Sequence, residues 1–191
     1  MHHYAQSYRA FLAAWALALL VLLAVGCERN RGSEAAQGFV SGNKELIDNL
    51  STDLAQALAA ADDAKANKIV DDFFAQAQAD KRPLNVGILV LGAKGQVISS
   101  RYPDPKDKTA VIKSEDDFNY SQYKKIDKVL SKGKTTSTIL YTVKHKVYMV
   151  CSPLKHGNAI VGALCVARVP SVMGPPLEIP DAEFLELSFN D

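Results

Sequence analysis

The stretch Val86-Gly-Ile-Leu-Val-Leu-Gly-Ala-Lys-Gly-Gln-Val-Ile-Ser-Ser100 decides the fold class of this chain. Residues 86–91 are apolar apart from one glycine, as in a buried strand, and residues 96–100 form a second, shorter one. Between them Gly92-Ala-Lys-Gly95 has the glycine content of a tight turn, so the two runs form a hairpin. Upstream the period changes. Residues 43–82 contain no Gly or Pro. Leu46, Leu50, Leu54, Leu58 and Ala61, then Ile69, Val70, Phe73, Phe74 and Ala77, recur at spacings of three and four. That spacing predicts one long amphipathic helix with a break near Asp62-Asp63.

Downstream, residues 102–117 carry two prolines and many charges and read as a long loop. Residues 120–132 predict a helix with Tyr123, Ile126, Val129 and Leu130 on one face and Gly133 as its stop. Three strands follow at 135–143, 146–152 and 159–169, with turns at Lys144-His145 and Lys155-His-Gly-Asn158. Residues 171–191 read as a Pro-rich tail ending in a short apolar segment around Phe184-Leu185. Strands in succession with helices gathered to one side predict an α+β domain. A long N-terminal helix packs on a five-stranded antiparallel sheet, and a loop-helix layer covers it. No internal repeat is visible.

The N-terminus has the make-up of a secretory signal: Arg9, then an apolar run of 15 residues from Phe11 to Val25, then Gly26-Cys27-Glu28. A helix needs about 20 apolar residues to span a bilayer, so this run is short for a permanent anchor. Ala24-Val25-Gly26-Cys27 resembles the lipobox of bacterial lipoproteins, although Ala24 stands where Leu is commonest. The resemblance implies that residues 1–26 are removed and that Cys27 carries the lipid. More than one acyl chain gives stable anchoring. Glu28, rather than Asp, is similar to the signal for outer-membrane sorting. The expected location is the cell envelope, lipid-anchored and facing the periplasm, with the outer membrane favoured over the inner. Residues 27–42, with three glycines and two serines, read as a flexible tether before a domain spanning 43–170.

Removing residues 1–26 takes away one charged residue, Arg9, and leaves basic and acidic residues equal in number. A neutral chain without a long basic block speaks against nucleic acid as a partner. Besides Cys27 there are Cys151 and Cys165, in a compartment expected to be oxidising. A turn centred on His156-Gly157 sets Cys151 opposite about residue 162 and leaves Cys165 roughly 10 Å along the strand. A disulfide needs Cα atoms within about 7 Å, so both read as buried small apolar residues.

Nothing in the pattern nominates an enzyme. His145 and His156 are isolated turn residues without ligands at metal spacing, so no metal site and no cofactor are expected. Nucleophile elbow, P-loop, HExxH and dinucleotide-binding patterns are absent from the sequence. The acidic groups Asp62-Asp63, Asp71-Asp72 and Glu115-Asp116-Asp117 lack the alternation of a calcium loop. An envelope enzyme with Cys151 as nucleophile is a rival reading, with His156 as the nearest base in sequence.

The ordered set of segments resembles the extracytoplasmic Cache (PAS-like) sensor domains over residues 43–169. The hairpin at 86–99 looks like the family's opening hairpin, and Tyr120-Ser-Gln-Tyr-Lys-Lys-Ile126 is similar to its Tyr-containing helix start. Val147-Tyr-Met-Val-Cys-Ser-Pro-Leu154 and Gly157-Asn-Ala-Ile-Val-Gly-Ala-Leu-Cys-Val-Ala-Arg168 look like its closing hairpin. The resemblance implies a pocket between the sheet and the loop-helix layer, holding a small metabolite such as a carboxylate or an amino acid. Tyr123 matches the family's tyrosine, whereas Ser121 stands where an arginine commonly holds the carboxylate. Lys124 or Arg101 then supplies the charge. Tyr120, Tyr123, Tyr141 and Tyr148 offer rings with a hydroxyl handle. The expected function is a small-ligand-binding lipoprotein that reports to a separate envelope signalling protein. The alternative is a structural or assembly lipoprotein that uses the same sheet to dock proteins.

Overall fold

The computed structural model describes residues 33–80, 85–104, 106–107, 110–114, 118–141, 146–169 and 178–189. The proposed signal peptide, Cys27 and the turn with His145 lie outside the described residues. No helix among the described residues is long and apolar enough to cross a membrane.

Helix α1 (Glu34–Ala59) and helix α2 (Asp63–Ala79) occupy the region of the long amphipathic pattern. They separate where the pattern breaks. The Asp62 N–H donates to the Ala57 carbonyl (2.9 Å) and the Ala61 N–H to that of Leu58 (3.0 Å), closing α1. This is a Schellman end with Ala61 in the left-handed position at φ 52°. The Asp62 carboxylate then caps α2 by accepting from the Lys65 N–H at 2.9 Å. Helix α1 begins nine residues before the expected boundary, so residues 34–42 of the proposed tether are helical. Ala36 is buried in the core, and the Phe39 ring meets that of Phe184 at 5.4 Å. That packing outweighs the helix-weakening Gly38 and Gly42.

Strands β1 (Gly87–Gly92), β2 (Val97–Pro103), β3 (Val111–Lys113), β4 (Thr136–Tyr141), β5 (Lys146–His156) and β6 (Ala159–Arg168) form one antiparallel sheet in the order β3-β2-β1-β6-β5-β4. The sheet has six strands rather than five. The extra one, β3, pairs with Arg101–Pro103 inside the segment read as loop, and three residues are too few to show a period. A 3-10 turn (Tyr120–Gln122) and helix α3 (Lys124–Lys132) follow β3, and α3 ends at Gly133 in the left-handed conformation.

The sheet carries a core on each face. On one face α1 and α2 pack Ile47, Leu50, Leu54, Val70 and Phe74 against Ile88, Val90, Val150, Leu164 and Val166. On the other, α3 packs Ile126 and Val129 against Leu89, Leu91, Met149, Cys151, Ala163 and Cys165. Residues of β1 alternate between the two cores, which explains its unbroken apolar sequence. The described end of the expected Pro-rich tail, residues 178–189, packs against the domain. Helix α4 (Asp181–Leu185) places Phe184, fully buried, in the first core together with Ile179. Its only sequence signal is one aromatic residue whose partners lie far along the chain.

Candidate functional site

The loop-helix layer is built on the β1–β2 turn. The Tyr120 N–H donates to the Gly95 carbonyl at 2.9 Å, and Gly95 has φ +81°. A side chain on Gly95 would strike the Ser121 nitrogen, so glycine is required for both conformation and contact. Asn119 caps the 3-10 turn, its Oδ1 accepting from the Ser121 N–H (2.9 Å) and from the Ser121 Oγ (2.7 Å). Ser121, where the resemblance would put an arginine, spends its hydroxyl inside the turn. Tyr123 opens α3, with its carbonyl accepting from the Asp127 N–H at 2.8 Å.

The rings of Phe118, Tyr120 and Tyr123 gather here, with centroids 5.2–6.0 Å apart. Phe118 and Tyr123 are each 39% exposed, and Lys124 beside them is exposed. Beneath the layer the described residues are tightly packed: Leu91, Ile126, Val129, Cys151, Ala163 and Cys165 are all fully buried.

The six expected ligand residues do not converge. Tyr120, Tyr123 and Lys124 lie together on the α3 side of the sheet. Arg101 faces the other way. It pairs with Ile88, which belongs to the helix-side core, and its guanidinium is committed to α2. Nε donates to Asp71 Oδ1 (2.7 Å), and one terminal nitrogen reaches Asp71 Oδ2 and Asn67 Oδ1 (both 3.2 Å). Arg101 thus clamps β2 to α2 and is not the charge of an α3-side pocket. A strand places alternate side chains on opposite faces, and charge by itself does not reveal the face.

Tyr148 also lies in the helix-side core, and Tyr141, 72% exposed, stands on edge strand β4. Both bind Asp181 at the start of α4. The carboxylate accepts from the Tyr148 hydroxyl (2.8 Å), the Tyr141 hydroxyl (3.3 Å) and Lys146 Nζ (2.6 Å). The hydrogen bond from Lys146, followed by that from Tyr148, holds the Asp181 carboxyl below its ordinary pKa. The same bond to Asp181 raises the Lys146 pKa, whereas burial is the first cause raising that of Tyr148. These tyrosines latch the C-terminal helix to the sheet, and the sequence reading missed Asp181 as their shared partner.

The cysteines require a further correction. Cys151 and Cys165 form a disulfide with Cα atoms 4.0 Å apart. The turn is the pair Gly157-Asn158, one residue later than expected, which moves the register by two positions, and a bulge at Leu154/Lys155 adds the third. Cys151 therefore faces Cys165 directly rather than residue 162. With its sulfur bonded and buried, Cys151 is not poised as the nucleophile of the enzyme reading.

No family model matches the sequence, and no curated protein is similar to it. Solved structures do share its architecture. A domain of a sensory box/GGDEF family protein from Vibrio parahaemolyticus aligns with TM-score 0.55 at 15% identity, over 81% of this chain and 59% of that one. The extracellular domain of a histidine kinase aligns with TM-score 0.54 at 16% identity, over 81% of this chain and 56% of that one. Methyl-accepting chemotaxis protein X gives TM-score 0.54 at 13% identity, over 83% and 65%. The chain shares the α+β, PAS-like fold of these domains. It spans less than two thirds of the length of these three chains. In this fold the α3 layer, with its aromatic trio and Lys124, lies on the sheet face opposite α1 and α2.

Proposed function

We propose that this protein is a non-catalytic sensor module of the cell envelope that binds a small carboxylate or amino acid. Anchored through Cys27, it reports to a separate membrane protein. The observation that carries this reading is the grouping of Phe118, Tyr120, Tyr123 and Lys124 at the edge of the α3 layer. Aromatic walls with a hydroxyl handle and one nearby cation suit a small anion with an organic body. The buried disulfide supports an oxidising, exported location. Calorimetry with a panel of L-amino acids and short carboxylates tests the reading. Loss of a hydroxyl partner costs about 0.5–1.5 kcal/mol and loss of a charged one about 1.5–3 kcal/mol. Tyr123→Phe should therefore weaken binding several-fold, and Lys124→Ala more. In the host, Cys27→Ala should release the protein from the membrane fraction. Unchanged affinity in both site variants rules out this site.

The second reading is a docking lipoprotein. The packed interior of the α3 layer and the exposure of Phe118 and Tyr123 support it. Under that reading the panel gives no heat of binding, and Phe118→Ser abolishes capture of a specific envelope protein while leaving the fold intact.

A further inference from the structure

On the opposite face of the sheet, α1, α2 and the ends of β1 and β6 enclose a cleft of about 480 Å³. Ligand pockets typically measure roughly 300–1,000 Å³. Phe39, Leu46, Phe73 and Val86 supply apolar wall, and Gly38 and Gly42, one turn apart on α1, leave the approach open. Arg168, the last residue of β6, reaches into it. Arg168 pairs in register with Tyr148 and continues the helix-side alternation of Leu164 and Val166. Unlike Arg101, Arg168 has no acceptor: its Nε is buried, and its guanidinium makes no hydrogen bond or ion pair among the described residues. Glu45 lines the same cleft but is exposed and makes no ion pair with it.

A buried donor atom without an acceptor is costly, and the Arg168 Nε is one although the side chain as a whole is only part-buried. Here burial lowers the pKa of the Arg168 guanidinium, as expected for a charge desolvated without a partner. An acidic side chain nearby would remove the cost, as Asp71 does for Arg101, yet none among the described residues is paired with Arg168. Walls that join Phe39, Leu46, Phe73 and Val86 to Asn43, Asn49 and Asn85, around one cation unmatched among the described residues, suit a ligand with an anionic head and an apolar tail. We propose that this cleft is a second binding site, separate from the α3 layer, for a small amphipathic organic anion whose carboxylate or phosphate pairs with Arg168.

Octanoate serves as the probe, with acetate as the head alone and 1-octanol as the tail alone, titrated into the full chain by calorimetry. Octanoate should bind at least tenfold more tightly than either control. Arg168→Gln should weaken octanoate at least tenfold, and Arg168→Lys by less, because the charge remains without the Nε donor. Amide and Arg side-chain NMR shifts of the unmutated protein provide a readout independent of how the variants fold. Addition of octanoate should move Arg168 Nε–H, Gly38, Gly42 and Asn85, and leave Tyr123 and Lys124 in place. Failure of octanoate to bind, equal binding by 1-octanol, equal affinity in Arg168→Gln, or shifts centred on Tyr123 would each overturn the proposal. Shifts centred on Tyr123 would assign the anion to the α3 layer, whereas the other outcomes leave the question of that layer's own ligand untouched.

Discussion

Asp181 joins three side chains that come from β4 and β5, and its protonation sets a pH window for the latch. Folding lowers its pKa below the ordinary 3.8, so its contribution is complete above that value and disappears as pH falls through the lower folded value. Lys146 and Tyr148 shift upward from 10.5 and 10.0, so their contributions are complete below those values and are lost as pH rises through the folded ones. The wild type should therefore exceed Asp181→Asn in urea midpoint near neutrality, with the gap closing below about pH 4 and above about pH 10. A gap that stays constant with pH would dismiss the ionic role. The Cys151–Cys165 bond, with a separation of 14 residues, should stabilise by about 2–4 kcal/mol. Thiol reductant present during unfolding should lower the wild-type urea midpoint and leave the Cys151→Ala/Cys165→Ala double variant unmoved. Equal sensitivity of the two proteins would deny the bond a role.

Helix α1 owes its position to two backbone details. Its C-terminal end uses Ala61 in the left-handed region, where an L-residue carries about 1–2 kcal/mol of strain and glycine carries none. Glycine's larger loss of chain entropy returns about 0.5–1 kcal/mol of that. Ala61→Gly should therefore raise stability by about 0.5–1 kcal/mol, an upward shift of a few degrees in the thermal midpoint. A lowered midpoint would show that the αL strain is relieved by other means. One turn earlier α1 lies across β5 and β6, and a Cβ on Gly162 would strike the Leu91 carbonyl oxygen of neighbouring β1 and, at 2.6 Å, Leu58 Cδ1 of α1. The "Val-Gly" step of β6 thus leaves room both for the Leu91 carbonyl of β1 and for the Leu58 side chain of α1.

The domain runs from α1 through α4. A chain ending at residue 170 loses Phe184 and Ile179 from the helix-side core and the Asp181 latch with them. Removing a buried Phe costs about 3–5 kcal/mol, a large part of a typical domain's stability of about 5–15 kcal/mol. Residues 34–191 should give a cooperative urea transition, and 34–170 should unfold at markedly lower urea or fail to fold. Equal midpoints would return residues 171–191 to the status of a tail. The same frame separates the two candidate sites, since the sheet itself lies between the Tyr123 layer on one face and the Arg168 cleft on the other.

Much of this architecture was legible in residue order. The hairpin at 86–100, the helix break at Asp62 and the stop at Gly133 follow from period, turn chemistry and capping, all of which act between near neighbours. The α+β class follows from their sequence along the chain. The remainder required distant segments to meet. The cysteine pairing turned on a one-residue shift of a turn plus one bulge, small steps that sum to three positions. Arg101 and Arg168 are alike as letters. One meets Asp71 across 30 residues of sequence and is satisfied, and the other ends its strand in a cleft without an acceptor among the described residues. Local sterics write strands and helices into a sequence, whereas partnership and burial are properties of the assembled packing, so the binding surfaces emerged only when sheet and helices were brought together.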